Sequence, residues 1–368
     1  MRRITTLLIL LFVTTLLIGG SLLTPGLADS GANHRVRNLH FGVSGGNVND
    51  ITKRFCCSGT LGSRVTSNGI QYVLSNNHVL ARGDQASAGE DISQPGLIDN
   101  NCAVAAVVAD FSVAAPLGSN VDAALAQLRS GQMDSTGFIE DIGVPSSTTV
   151  APSVGLGVAK SGRTTGFTTG SISSINTSVS VQYQRSCGSG QKFTVSYTNQ
   201  VVINSTTFSA GGDSGSLIVT NNASHNPVAL LFAGSSSTTI GNPIGEVLTK
   251  LAAQTGGAVS FDTGSVISIE GSAREVGGEQ QPFIPQLGRG DLPSQAADRA
   301  SAILEQHRAN LMAQPGVIGA GVGASERASD EAAIVIYVDR TSKARPMFAE
   351  SMDGVAVRVV YTDPFVAF

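Results

Sequence analysis

The sequence has little charge and few aromatic residues. Asp, Glu, Lys and Arg make up 14% of its 368 residues, aromatic residues make up 5%, and tryptophan is absent. The net charge is −4 and the lysines are scattered, so no stretch resembles the basic stripe that attracts phosphate backbones, and we expect no nucleic-acid partner. The 43 glycines, with many Ser, Thr and Val, are typical of short strands and tight turns. This composition predicts a mostly β protein.

The N-terminus has the features of a secretory signal peptide over residues 1–28. A short basic start at Arg2 and Arg3 precedes an apolar run, and small residues end it at Ala28. The apolar run from Ile4 to Leu23 could alternatively serve as an uncleaved anchor. Glycines interrupt the run and a small-residue site follows, so we predict cleavage after Ala28 and a secreted protein.

Cysteine is scarce, with Cys56, Cys57, Cys102 and Cys187 as its only positions. An even number in an exported chain predicts two disulfides. Because neighbouring residues on a strand point to opposite faces, Cys56 and Cys57 are expected to bond different partners, in an order that the sequence leaves open. No His or Cys-x-x-Cys pair stands close to them, so we predict no metal and no cofactor.

The chain is longer than one ordinary domain, and its character changes along its length. Residues 40–256 read as short apolar runs cut by turn residues, with one helix in "IGEVLTKLAAQT" near the end. Residues 257–292 have no sustained period and are predicted to form a linker. Residues 293–368 are predicted to form a small α/β module, with strands in "VIGAGVGA", "AAIVIYVD" and "VAVRVVYT".

The module should begin with a helix that Ser294 caps and that ends before Pro315-Gly316. One face of this helix carries apolar residues and one histidine: Ala300, Ile303, Leu304, His307 and Leu311. A histidine in such a row is expected to pack rather than to act chemically.

The stretch "FSAGGDSGSLIV", residues 208–219, places a hydroxyl between glycines just before an apolar strand. Gly212 and Gly215 remove the side chains that would crowd a carbonyl approaching Ser214. The amides of Gly212 and Ser214 could then converge on one oxygen, as an oxyanion hole requires. The stretch therefore predicts a serine nucleophile.

A serine nucleophile needs a base and an acid that orients the base. Among five histidines, only His78 ends an apolar strand at a turn where its side chain could face a cleft. Asp122 interrupts an otherwise apolar stretch, where an unpartnered carboxylate would be costly. Asp110 is a rival on the same argument.

Four patches, "SNNHVLA", "VDAALAQL", "SGRTTGFTTG" and "GGDSGSLIV", occur in the order His, Asp, Ser and resemble the chymotrypsin or trypsin-like serine protease family in its secreted bacterial form. The resemblance implies a double six-stranded β-barrel. It also implies His78 as general base, Asp122 as its orienting acid and Ser214 as nucleophile, with protein or peptide substrates. The sequence departs from many members in having Val79, not cysteine, after the histidine.

The same resemblance implies roles for residues around the nucleophile. Asp213 would pair with an internal base, Lys160 or as second choice Arg163, so that the barrel forms active without N-terminal cleavage. Phe208 would lie at the base of the primary pocket, with Phe232, Ala233 and Gly234 as its wall and peptide-binding edge. Without a carboxylate there, we expect a preference for small or apolar residues.

Two other functions fit the same residues. A triad also serves esterases and other acyl-transfer enzymes, and a barrel with an idle triad could bind peptides without turnover. For the C-terminal module we consider intramolecular docking as an inhibitor, an adaptor role and a purely stabilising role.

Overall fold

The computed structural model describes residues 32–261 and 292–368. The predicted signal peptide and most of the predicted linker lie outside the described residues. The strands of the first sheet, in chain order, are β1 Val43–Asn47, β2 Gly59–Leu61, β3 Ser63–Ser67, β4 Ile70–Ser75, β5 Asp91–Gln94, β6 Ala106–Ala115 and β7 Ala123–Leu128. They lie in the order β2-β1-β5-β6-β7-β4-β3, and the short helix α1, Asn77–Leu80, follows β4.

The second sheet contains strands from both the middle and the end of the chain. Its middle strands are β8 Gly157–Gly162, β9 Gly166–Ser171, β10 Ser174–Ser186, β11 Ser189–Asn204, β12 Leu217–Thr220, β13 Pro227–Gly234 and β14 Thr238–Pro243. Helix α2, Ile244–Thr255, follows β14, as predicted. The later elements are α3 Ser294–Met312, β15 Val317–Ala324, β16 Ala332–Asp339, β17 Ser351–Met352, β18 Val355–Thr362 and β19 Phe365–Ala367.

The strand order explains how the second sheet extends across these regions. It runs β17-β18-β16-β15-β10-β11-β14-β13-β12-β8-β9, and β19 pairs with both β10 and β13. The prediction of a mostly β chain is thus confirmed, and the strands of the described residues form two sheets, of seven and twelve strands. The helix and the three long strands predicted for the C-terminal region are also found.

The apolar cores form because side chains alternate between the two faces of a strand and recur on one face of a helix. In the first sheet, Leu74 and Leu125 turn inward, and α2 adds Val247 and Leu251 from one face. Strand β13 is buried at every position because its side chains belong to three apolar clusters. These cores fix the ends of β4, β7 and β13, where the candidate site lies.

The predicted cap of α3 is wrong. Pro293 holds the N-cap position and Ser294 is the first helical residue, without a side-chain cap bond. The Pro293 carbonyl instead accepts hydrogen bonds from the amides of Ala296 and Ala297, both at 3.0 Å. The helix nevertheless buries the predicted face on β15 and β16, through Ala300, Leu304 and Leu311.

Strand β15 joins the sheet by antiparallel pairing with β10. The two strands lie close together at Gly321. A Cβ there would be 2.2 Å from Thr177 Oγ1, so only glycine fits. From α3, Arg308 donates to Ser178 Oγ at 2.6 Å and to Asn176 Oδ1 at 3.0 Å. The C-terminal region therefore shares a sheet with the barrel strands.

Two disulfides are present, Cys56–Cys102 and Cys57–Cys187. The prediction that the neighbouring cysteines bond different partners is confirmed, and the structure settles the order. The second disulfide ties the segment after β1 to the turn between β10 and β11.

Among residues 32–261 and 292–368, no helix has both the length and the apolar character needed to cross a bilayer.

Candidate active site

His78 and Asp122 meet at the ends of two paired strands. Strand β4 pairs with β7, so the helix after Ser75 and the residue before Ala123 come to one place. His78 Nδ1 lies 2.6 Å from Asp122 Oδ2, and the His78 amide donates to Asp122 Oδ1 at 3.1 Å. The Asp122 side chain is fully buried, whereas that of His78 is 15% exposed. One ring edge is therefore held while the other faces the cleft.

The surroundings of His78 favour its protonated form. Burial alone would lower the pKa of the ring, but the charge and hydrogen bond of Asp122 oppose this effect, with help from the Phe368 oxygen and the nearby Asp50. The net result is a raised pKa. Burial also raises the pKa of Asp50 to about 6, against the opposing charges of His78 and Arg82.

Asp122 receives further hydrogen bonds that the sequence did not reveal. Tyr183 on β10 donates its hydroxyl to Asp122 Oδ2 at 2.8 Å, and Tyr197 OH lies 2.6 Å from Tyr183 OH. Burial and the Asp122 charge raise the pKa of Tyr183 well above its ordinary value, which keeps it a donor. Alternation along β10 predicts that Tyr183 is inward-facing, but nothing local points to Asp122.

The loop around Ser214 has the backbone that its glycines predict. Gly212 and Gly215 have φ of +98° and +94°. A Cβ at Gly215 would lie 2.1 Å from Ser75 Oγ and 2.2 Å from Thr60 O, so this position requires glycine. Among the described residues, the amides of Gly212 and Ser214 have no hydrogen-bond partner. Two free donors thus flank the serine hydroxyl.

The Ser214 hydroxyl is buried and is bonded to a backbone carbonyl. Its Oγ donates to the Phe232 carbonyl oxygen at 3.1 Å. The free edge of His78 instead faces another group, with Nε2 3.0 Å from the Phe368 oxygen. The structure therefore brings His78, Asp122 and Ser214 to one site, with the Phe368 oxygen as the Nε2 partner.

Asp213 and Lys160 lie together in the interior. Lys160 Nζ is 3.7 Å from Asp213 Oδ2, and both side chains are fully buried. Asp213 also accepts hydrogen bonds from the amides of Ala210 and Thr164, at 2.9 and 2.8 Å. Lys160 donates to the Thr165 hydroxyl, which in turn donates to Asp213 at 2.8 Å. Burial lowers the pKa of Lys160 to about 8, although Asp213 opposes the shift.

Arg163, the second choice as partner of Asp213, and Asp110, the rival of Asp122, each bond another residue. Arg163 contacts Asp99, with N–O distances of 2.6 and 2.7 Å. Asp110 bonds the half-exposed Arg129 at 2.6 Å. Neither residue lies in the place that the alternative assignment would require.

The four residues predicted for the pocket lie on two sides of β13. Phe208 is fully buried in the apolar cluster under the cleft, against which the Phe368 ring packs. The side chains of Phe232 and Ala233 belong to the cluster on the other face. Gly234 faces the cleft, where an added Cβ would lie 2.6 Å from the Phe368 ring.

The segment 363–368, here called the tail, occupies part of the cleft. It pairs antiparallel with β13, with Ala367 opposite Ala233 and Val366 opposite Gly234. The Phe368 amide donates to the Phe232 carbonyl at 3.3 Å. The sequence offered docking of the C-terminal module as one possibility but not this pairing, because four apolar residues at the end of a module carry no signal for a partner far away in the chain.

An open cavity of about 390 Å³ continues the cleft beyond Phe368. Its walls include His78, Gly212, Arg163 and the Cys57–Cys187 disulfide. The imidazole thus lies between a filled half and an open half of one groove.

Several solved structures are similar to part of this chain. One is a glutamic acid-specific serine protease that uses a histidine triad in substrate binding, with 22% identity, 60% of this chain and 99% of that chain covered, and a TM-score of 0.41. Thermobifida fusca protease A has 16% identity, coverage of 61% and 99%, and a TM-score of 0.39. Cellulomonas bogoriensis chymotrypsin has 18% identity, coverage of 61% and 98%, and a TM-score of 0.38. No protein-family model and no curated protein matches the sequence.

Proposed function

We propose that the protein is a secreted serine endopeptidase. His78 is its general base, Asp122 orients that base, and Ser214 is the nucleophile. The observation that carries the proposal is the 2.6 Å bond between His78 Nδ1 and the buried Asp122, at a cleft that also holds Ser214. A carboxylate on one ring nitrogen fixes the tautomer that leaves the other nitrogen free to take a proton.

The proposed reaction proceeds through an acyl-enzyme. Ser214 Oγ attacks the peptide carbonyl carbon while its proton passes to His78 Nε2, and Asp122 stabilises the resulting imidazolium. The imidazolium then gives the proton to the leaving amine, and water releases the acyl group by the same steps in reverse order. For attack, Ser214 Oγ must exchange its bond to Phe232 for one to His78.

The free amides of Gly212 and Ser214 support a place for the negative charge of the tetrahedral intermediate. Fixed donors in a site that excludes water lower the barrier without having to reorganise during the reaction. Gly212 has a positive φ of +98°, and its amide has no hydrogen-bond partner among the described residues, so it is available to an oxyanion. These donors favour acyl transfer over mere peptide binding.

Asp213 and Lys160 form the proposed structural ion pair of the loop. A buried internal lysine next to the aspartate removes the need for a newly cleaved N-terminus as partner. The proposed pocket contains Phe208 and is apolar, which suits small or apolar side chains. The two disulfides agree with secretion after removal of residues 1–28.

The direct test is labelling of the purified protein with a fluorophosphonate probe, followed by peptide mapping. We expect one modified residue, Ser214, and no modification in Ser214→Ala. A peptide library and simple esters, assayed side by side, separate an endopeptidase from an esterase. Labelling elsewhere, or equal labelling of Ser214→Ala, contradicts the proposal.

A further inference from the structure

The tail lies in the cleft as the acyl part of a peptide substrate would lie. We propose that it occupies the acyl-side subsites and that Ala367 and Phe368 report the substrate class: peptides with an aromatic residue before the cleaved bond and a small residue before that. In the full chain the same contacts block the site. This inference rests on the proposed function and names its substrate class and its regulation.

The backbone of the tail makes the bonds that an extended substrate would make. It adds an antiparallel strand to β13, and the Phe368 amide donates to the Phe232 carbonyl at 3.3 Å. When a peptide adds a strand to a sheet edge, its main-chain hydrogen bonds give affinity and the pockets for its side chains give specificity. Any peptide of suitable side chains could therefore replace the tail.

The Phe368 ring lies in an apolar site beside β13. It packs on the cluster that contains Phe208, and the missing side chain of Gly234 leaves room for it, since a Cβ there would lie 2.6 Å from the ring. The site therefore selects an apolar ring over a basic or acidic side chain.

The position of the Phe368 oxygen places this residue next to the chemistry. The oxygen is 3.0 Å from His78 Nε2, the atom that would move the proton. Beyond it the groove opens into the cavity of about 390 Å³ lined by His78 and Gly212. A longer peptide would continue into that space, so Phe368 corresponds to the residue before the cleaved bond.

The preceding residue, Ala367, stands opposite Ala233 and is half-buried. Phe365 is different: it is fully buried against Tyr337 of the module, with 5.9 Å between ring centroids. Because the module supplies part of that environment, only Ala367 and Phe368 report the preferences of the barrel.

Polar contacts hold the tail in place just before strand β19. Arg340 donates to both Asp363 oxygens, and Ser236 of the barrel bonds Asp363 Oδ2 at 2.6 Å. Thr362 Oγ1 lies 2.7 Å from Ser235 Oγ. These contacts make the tail an intramolecular competitor at high local concentration, so free substrate must displace it.

The test compares the full chain with Phe368→Asp. Val366→Thr is the matched control, because Val366 is 37% exposed and its pairing with Gly234 is made by the backbone. Asp363→Ala, which removes the anchor, is a second release variant. We measure the rate of fluorophosphonate labelling at Ser214 and the cleavage of Phe-Val-Ala-X p-nitroanilides with X as Phe, Ala or Lys. Thermal unfolding verifies that each variant is folded.

Burial of one large apolar side chain converts to about 10- to 100-fold in affinity or rate. We therefore expect Phe368→Asp to be labelled about 10-fold faster or more, with Val366→Thr like the parent chain. Asp363→Ala should be labelled only a few-fold faster, because the Arg340–Asp363 ion pair is exposed and such pairs contribute little. The released variants should cleave the Phe substrate about 10-fold faster than the Ala or Lys substrates. Equal labelling in all chains overturns the blocking role, and a preference for Ala or Lys overturns the substrate class.

A separate arm distinguishes this inference from the proposed function. The fluorescent peptide Asp-Pro-Phe-Val-Ala-Phe should bind the Phe368→Asp chain. The same peptide with Lys in place of its last Phe should bind at least about 10-fold more weakly. If no chain is labelled at Ser214 but this selective binding is found, the tail site stands and the enzymatic proposal fails. If labelling succeeds without selective binding, only the inference from the tail fails.

Discussion

The hydroxyl of Tyr183 donates to Asp122 Oδ2 at 2.8 Å, in a region where both side chains are buried. The same carboxylate oxygen lies 2.6 Å from His78 Nδ1. A strand of the second sheet thus reaches across the cleft to a carboxylate at the end of the first sheet. Hydrogen bonds from fixed donors hold a carboxylate in position, so Tyr183 is a positioning residue for the imidazole.

We predict that Tyr183→Phe lowers kcat more than it changes KM. A hydrogen bond to a charged group is worth about 1.5–3 kcal/mol, which corresponds to about 10- to 100-fold if it is expressed in the transition state. Steady-state kinetics on an apolar peptide substrate measures the effect. Tyr197→Phe is the control, because Tyr197 contacts Tyr183 but its removal leaves the bond to Asp122. Equal losses in the two variants would indicate a general packing effect.

Asp122 should control the protonation of His78. In Asp122→Asn the charge and the ionic hydrogen bond that raise the pKa of His78 disappear, while burial still lowers it. The pKa should therefore fall, and NMR titration of the ring in a Ser214→Ala background measures this. By analogy with other triads, kcat should fall by about 10⁴-fold. Asp110→Asn is the matched control, since Asp110 bonds Arg129 elsewhere, and an unchanged pKa in Asp122→Asn would contradict the assignment.

Local patterns in the sequence were sufficient for much of the fold. The helix 244–255 has apolar residues at helical spacing, and strands such as β13 are short apolar runs between turn residues. Adjacent cysteines likewise imply different partners, and this holds although Cys56 and Cys57 lie between β1 and β2 and not on a strand. In each case the deciding contact lies within one element or its immediate neighbours.

The remaining features depend on contacts between distant segments. Tyr183 meets Asp122 only because β10 crosses the end of β7, and Phe368 reaches His78 only because β19 adds to β13. The helix start at Ser294 differs because Pro293 already supplies the carbonyl that the first turn needs. Hydrophobic periodicity within one segment carries no information about pairing between distant segments. Reasoning from a single sequence therefore assigns these residues to helices and strands but does not predict which of them are in contact.

The loop before Ser214, which carries the proposed oxyanion donors, should tolerate a methyl group at Gly211 but not at its neighbour Gly212. At Gly212, where φ is +98°, a Cβ would lie 2.5 Å from Thr164 Oγ1, whereas at Gly211 it would meet nothing within 4 Å. Gly212→Ala should shift the loop and reduce turnover by about 10²-fold, the usual effect of losing one oxyanion donor. Gly211→Ala should keep activity within a few-fold of the parent. Similar losses in both variants would mean that the loop responds to substitution generally.

Lys160 should contribute to stability through Asp213. Removing one partner of a buried pair typically costs about 3–5 kcal/mol, because the other charge stays buried. We expect Lys160→Met to lower the free energy of unfolding by about this amount in denaturant titrations, and Lys160→Met with Asp213→Asn to recover part of it. The same single variant should lose turnover as the loop around Ser214 relaxes. Unchanged stability and turnover in Lys160→Met would contradict the pairing.

The Lys160 pair also has a defined pH dependence. The pKa of Lys160 in the folded protein is about 8, below its ordinary value of 10.5, so between these limits the unfolded chain binds more protons than the folded chain. Stability from this group therefore rises as pH increases from about 8 to about 10.5, and it is lowest below that window. Denaturant titrations at pH 7, 9 and 10.5 should show the parent chain gaining stability relative to Lys160→Met. A gap that does not change with pH would mean that Lys160 keeps its ordinary pKa. A gap that narrows would mean that the pKa is raised, so that attraction to Asp213 outweighs the cost of burying the charge.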